Sequence, residues 1–235
     1  VGLTYFLYCH VFIQINLITT AQIRHFIASV PDGQPFGYAQ LGLTPRQGQA
    51  AAKALERLVA QGMLKSLTKG VFCKMSRGAL VPKQPSDQAL IEYLLYKNGQ
   101  RVAYVTGLRL LSRWGFVEDS AQYPWEIAQF KRRGTFRWAH LQIHAVASLV
   151  PVEEEIVSVL ELLDVIKHFN VWAQQQPKQG MDRLKLLCDE LTDHQKYQIV
   201  ELGKYSSAGT CALIGALISQ WGWEVDLSPL RVRIN

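Results

Sequence analysis

The stretch Leu41–Arg77, LGLTPRQGQAAAKALERLVAQGMLKSLTKGVFCKMSR, constrains the fold most, because it carries a start signal, a stop signal and a turn signal in one short run. Thr44 suits a helix N-cap, and Pro45 suits the first turn, where an amide has no partner to lose. A helix is therefore predicted from there to about Gln61, with Gly62 ending it. At about 100° per residue, Ala51, Leu55, Leu58 and Val59 share one side. Arg46, Gln49, Lys53 and Arg57 fall in a narrow stripe on the other. Beyond the glycine, Met63–Ser66 and Val71–Lys74 read as two strands joined by a turn at Leu67, Thr68, Lys69 and Gly70. The last of these supplies a positive backbone dihedral.

Charge sharpens this reading. Residues 44–78 carry seven basic side chains (Arg46, Lys53, Arg57, Lys65, Lys69, Lys74 and Arg77) against Glu56 alone, a net of +6. The whole 235-residue chain, with 25 Lys and Arg against 19 Asp and Glu, is also +6, so the remainder is neutral. Basicity confined in this way is the footprint of a polyanion-facing surface, since neutralising phosphates with Lys and Arg drives nucleic-acid binding. The competing reading is an amphipathic helix and hairpin whose charged faces are merely solvated.

Upstream, Thr19 or Thr20 caps a helix through Ala21, Ile23, Phe26, Ile27 and Val30, with Arg24 and His25 outward. Pro31, Asp32 and Gly33 break it. Phe36–Leu41 reads as a short second helix, and Gly42–Thr44 as the turn before the third. Helix, helix, helix, hairpin is the order of a winged helix-turn-helix. In that arrangement Arg46, Gln47, Gln49 and Lys53 are placed for base edges, Arg suiting guanine and Gln adenine. Lys65, Thr68, Lys69, Lys74 and Arg77 are placed for phosphates, and Thr44 and Arg57 complete the DNA-facing set. The apolar opening VGLTYFLYCHVFIQINLI has no positive charge before it and no small-residue cleavage site after it. It reads as a core-packing lead-in or an upstream-extended start, in preference to a membrane anchor.

The run ALERLVAQGMLKSLTKGVF, a proline-containing linker and then VAYVTGLRLLSRWGF together resemble the AbiEi-type antitoxins of bacterial type IV toxin-antitoxin systems and their winged-helix relatives. The shared signature is L-x-x-L-V-x-x-G-x-L, followed by L-x-K-G-V-F. The match is looser around Tyr104, Thr106, Gly107, Leu108 and Gly115 and fades beyond about Asn170. The resemblance implies an N-terminal winged helix that binds operator DNA and represses its own operon, and a C-terminal domain that counters a nucleotidyltransferase-like toxin. The Gly-Ser and paired-aspartate pattern of the toxin itself is missing here. Two copies are expected on a promoter inverted repeat, with half-sites one helical turn or a multiple apart. A second reading takes the winged helix as a protein-docking module without base readout.

The hydrophobic fraction of 49% with 19% charged residues is that of a folded chain, long enough for two domains. The prolines and weak periodicity of Gly78–Asp87 place a linker between a DNA-binding domain at 1–80 and an α+β partner-recognition domain at 87–235. In the second domain, Asp87 caps a helix over Leu90, Ile91, Leu94 and Leu95 that ends near Asn98 and Gly99. Tyr104–Thr106 is a strand leading through Gly107 into a helix. The alternation in Trp125, Ile127, Gln129 and Phe130, and again in Phe136, Trp138, Leu141 and Ile143, predicts strands joined by a basic turn at Lys131–Thr135. Glu153–Glu155 open a helix, Gln174–Gly180 is a polar break, and Met181–Leu191, Asp193–Leu202 and Thr210–Trp221 are closing helices. Lys131, Arg132, Arg133 and Arg137, interleaved with Phe136 and Trp138, form a candidate partner-binding cluster or a solvated hairpin tip. His140 and His144 fall in strand-like alternation that argues against a metal pair. Four cysteines without a Cys-x-x-Cys pair suggest neither zinc nor disulfides and fit a reducing cytoplasm. No nucleophile with a paired base and no cofactor fingerprint is found, so no enzymatic activity, metal or cofactor is expected.

Overall fold

In the computed structural model, which describes residues 19–75, 84–131, 133–174 and 177–231, the fold is mixed α+β. The chain divides into two units, Val1–Leu94 and Leu95–Asn235. The apolar lead-in before Thr19 and the cations Arg77 and Arg132 lie outside the described residues.

The first unit encloses its core between two helices and a three-stranded sheet. Helix α1 (residues 19–29) buries Ile23 and Ile27 and turns Arg24 and His25 outward. The segment expected to be a second helix divides in two: Pro35–Gly37 is strand β1, and Tyr38–Leu41 is one turn of 3-10 helix. Phe36 decides this. It is buried, lies opposite Phe72 in the β1–β3 ladder and sets its ring edge-on to Phe26 at 5.3 Å. Helix α2 (Gly48–Ala60) is entered through a 3-10 turn, Pro45–Gln47. It ends where Gly62, at φ 69°, lets the Met63 amide donate back to the Leu58 carbonyl. Strands β2 (Leu64–Thr68) and β3 (Val71–Lys74) form the hairpin, and β3 lies between β1 and β2 with both pairings antiparallel. A register shift between Ser66 and Thr68 carries β2 further than its alternation suggests, leaving Lys69 and Gly70 as the turn.

Helix α3 (Asp87–Leu95) is capped by Ser86, not Asp87: the Ser86 hydroxyl accepts the Ala89 amide at 3.2 Å. Most of α3 belongs to the first unit, where the Tyr93 hydroxyl lies so close over Gly37 that no Cβ fits there.

In the second unit, Asn98 and Gly99 do not end a helix. Both have positive φ (53° and 78°) and form the two-residue turn between β4 (Tyr96–Lys97) and β5 (Gln100–Arg101). Strand β6 (Ala103–Thr106) leads through Gly107 into α4 (Gly107–Arg113). It edges a sheet with β7 (Trp125–Gln129), β8 (Gly134–Trp138) and β9 (Leu141–Ala147), in the order β6-β7-β9-β8. Because β9 inserts parallel to β7, the basic connection after β7 crosses the end of β9, and the expected hairpin is absent. Helices α5 (Val157–Lys167), α6 (Phe169–Ala173), α7 (Pro177–Asp189), α8 (Asp193–Gly203), α9 (Ala208–Trp221) and α10 (Ser228–Arg231) follow. They pack around Trp172, whose indole donates to the Val165 carbonyl at 2.9 Å. Of the polar run expected as a break, residues 177–180 are the first turn of α7, where Gly180 leaves room for the Trp172 ring.

Replacing Phe36 with alanine is expected to cost the first unit about 3–5 kcal/mol, read as a fall in the urea midpoint. A loss below about 1 kcal/mol would mean that β1 is not a packed strand.

Candidate nucleic-acid interface

Helix α2 has one apolar side and must bury it, and this dictates what it presents outward. Ala51, Ala54, Leu55 and Leu58 are buried in the first core. Arg46, Gln49, Lys53 and Arg57 are exposed, with Glu56 among them. None of these five side chains has a hydrogen bond or ion pair to another of the described residues. A row of exposed cations and an amide along the outer face of a helix is free to donate to phosphates and base edges.

Gln47, expected at a base edge, has several partners within the first unit. Its side chain is half-buried, and its Oε1 accepts from both the amide and the hydroxyl of Thr44 at 2.9 Å. Its Nε2 donates to Thr19 Oγ1 at 3.2 Å and Gln22 Oε1 at 3.0 Å. Its side chain thus ties the entry of α2 to α1. Sequence spacing could not reveal this, because Thr19 and Gln22 lie far upstream in the chain. Thr44 is exposed but is committed to the same helix start.

The hairpin divides its cations in the same way. Lys69 is exposed at the turn beside Gly70, whose φ is 78°. Lys65 donates to Gln84 Oε1 at 2.8 Å. Lys74 donates to the Val30 carbonyl at 2.9 Å and lies 3.4 Å from the Asp32 carboxylate. Thr68 is half-buried and pairs with Val71 to close the turn. Two lysines assigned to phosphates therefore serve their own unit.

The described members of the second cationic cluster are spread over strand β8 and the connection that precedes it. The period of two along β8 sets half-buried Phe136 and Trp138 on one face, and Thr135 and Arg137 on the other. Lys131, at φ 60°, stands 5.1 Å from the Phe130 ring, and Arg133 is exposed on the same crossing. His144 lies on β9, hydrogen-bonded through Nδ1 to Thr135 Oγ1 at 2.9 Å, while His140 sits in the preceding turn.

The second unit also buries two carboxylates on α5, which sequence reading passed over because they interrupt an apolar run. Asp164 Oδ2 accepts the Thr106 hydroxyl at 2.5 Å and the Tyr104 hydroxyl at 3.1 Å, holding β6 against α5. Burial, together with the Asp164 charge, pushes the Tyr104 phenol well above its ordinary range. Glu161 meets Arg113 at 2.6 Å. Burial still raises its carboxyl above the usual range, Arg113 offsetting only part of that rise. A carboxyl whose folded pKa is raised contributes stability that is full below the unfolded value and is lost as pH rises through the folded one. Stability should therefore decline with pH from the ordinary glutamate range upward, and Glu161→Gln should flatten that decline. Urea midpoints of the two proteins across mildly acidic to neutral pH test this, and parallel curves would contradict it.

No family model matches this chain, and no curated protein matches it. Among solved structures, it is similar to the RV2827C protein from Mycobacterium tuberculosis, at 12% sequence identity and a TM-score of 0.37, over 84% of this chain and 81% of that one.

Proposed function

We propose that residues 19–75 form a winged helix-turn-helix that reads DNA sequence, and that the chain is a transcriptional regulator of the AbiEi-like kind, an antitoxin repressing its own operon and countering a nucleotidyltransferase-like toxin. The observation that carries the reading is the row Arg46, Gln49, Lys53 and Arg57, whose side chains are exposed and unengaged among the described residues along the outer face of α2 and the 3-10 turn that leads into it. The surrounding order supports it: helix, strand, helical turn, helix and hairpin, with the sheet arranged β1-β3-β2. On this reading α2 enters the major groove, Arg46 and Gln49 meet base edges, and Lys53, Arg57 and Lys69 hold the backbone. Two copies bind an inverted repeat, and the second unit, Leu95–Asn235, carries recognition of the toxin.

One observation favours protein docking without base readout. With Lys65 and Lys74 engaged inside the first unit, Lys69 is the hairpin lysine left for phosphate among the described residues. Fluorescence anisotropy separates the two readings, using the protein's own promoter duplex and a scrambled duplex of equal length. Preference for the promoter, weakened by at least about tenfold in a joint Arg46→Ala and Lys53→Ala variant, is the expected result. That variant should still rescue growth against the toxin encoded beside it, since the exchanged residues lie in the first unit. Equal binding to both duplexes, or an unweakened double variant, would overturn base readout.

A further inference from the structure

The closing helices carry a groove of about 720 Å³, within the range of ligand and peptide sites. Its aromatic part comes from the end of α9. Gly222, at φ 68°, ends that helix and turns the chain back, so that Trp221 and Trp223 come together with ring centroids 5.8 Å apart. Both rings are half-buried. Around them stand the carboxylates of Asp189, Asp193, Glu224 and Asp226; Lys185 meets Asp189 at 2.6 Å and Lys196 meets Asp193 at 3.4 Å, so Glu224 and Asp226 are left as two negative charges without an ion pair among the described residues.

The groove already holds a cation in the way that it would hold another. Lys196 Nζ stands 5.7 Å from the Trp223 ring centroid and 3.4 Å from the Asp193 carboxylate, so one indole face and one carboxylate act on the same charge. Asp226 is fixed by the Ser228 hydroxyl at 2.5 Å and the Ser228 amide at 2.9 Å, which hold its carboxyl below the usual range. Glu224 is exposed and makes no ion pair among the described residues. Tyr197 stands 54% exposed in the lining.

We propose that this groove docks an arginine-rich linear segment of a protein partner. A guanidinium stacks flat on an indole while its edge donates in a fork to a carboxylate, which is the combination offered here. The volume exceeds what one ammonium needs, and the negative lining repels a nucleic-acid backbone. The groove is independent of α2 and its DNA reading, as it lies wholly within the second unit.

The test uses the full chain and a fluorescein-labelled oligo-arginine peptide at low salt, with oligo-glutamate and spermidine as comparisons. Saturable binding is expected for oligo-arginine and not for oligo-glutamate. Glu224→Gln and Trp223→Leu should each weaken it by about fivefold or more, and Lys196→Ala, which removes the resident cation, should tighten it by about threefold. Glu224→Gln exchanges an exposed side chain, so it remains informative even if Trp223→Leu unfolds the unit. Absence of saturable binding, indifference to Glu224→Gln, weakening by Lys196→Ala, or displacement by spermidine as effective as by unlabelled peptide would each overturn the proposal.

Discussion

The Gln47 amide is the joint on which the first unit's outer surface depends. It spans two elements, accepting from Thr44 at the entry to α2 and donating to Thr19 and Gln22 on α1. Each such bond contributes only about 0.5–1.5 kcal/mol. Acting together with the buried stripe of Ala51, Ala54, Leu55 and Leu58, they fix both the start and the rotation of α2. Once the rotation is set, Arg46, Gln49, Lys53 and Arg57 have only solvent to face. The cationic row is thus a consequence of how the apolar face and the first turn are satisfied.

The two units handle charge differently. In the first, cations along α2 and at the hairpin tip stand clear of neighbours, while Lys65 and Lys74 spend their ammonium groups on Gln84, Val30 and Asp32. In the second, several charges are paired. Arg113 meets Glu161, Arg101 meets Glu154 at 3.5 Å, and Asp164 is held by two hydroxyls. Buried or half-buried charges need such partners, whereas a surface that binds a polyanion needs its cations free.

Much of the first unit was legible because its signals are local. The proline and glycine bounding α2, its apolar period and the glycine of the hairpin turn each act within a few residues of themselves. What was missed depends on distant partners. Three residues of β1 carry no alternation, and Phe36 becomes a strand residue only because Phe72 lies opposite it. The insertion of β9 between β7 and β8 leaves no mark on local pattern, so Lys131–Thr135 read as a hairpin turn. Asn98-Gly99 reads as a helix stop in sequence, although that pair equally favours a two-residue turn, and the positive φ of both residues identifies it as one. For the site, composition found the free cations but could not tell them from Gln47, Lys65 and Lys74, whose partners are remote in sequence.

The central claim is that the exposed cations of α2 and the hairpin tip face phosphate. The salt dependence of promoter binding addresses it most directly, because each neutralised phosphate contributes about −0.9 to the slope of log K against log salt. With Lys53, Arg57 and Lys69 on phosphates, the slope should be roughly −2 to −3 per protomer. Lys69→Ala should reduce it by about one, while Lys74→Ala, whose ammonium is held by Val30 and Asp32, should leave it unchanged. A slope near zero, or one indifferent to Lys69→Ala, would contradict the account.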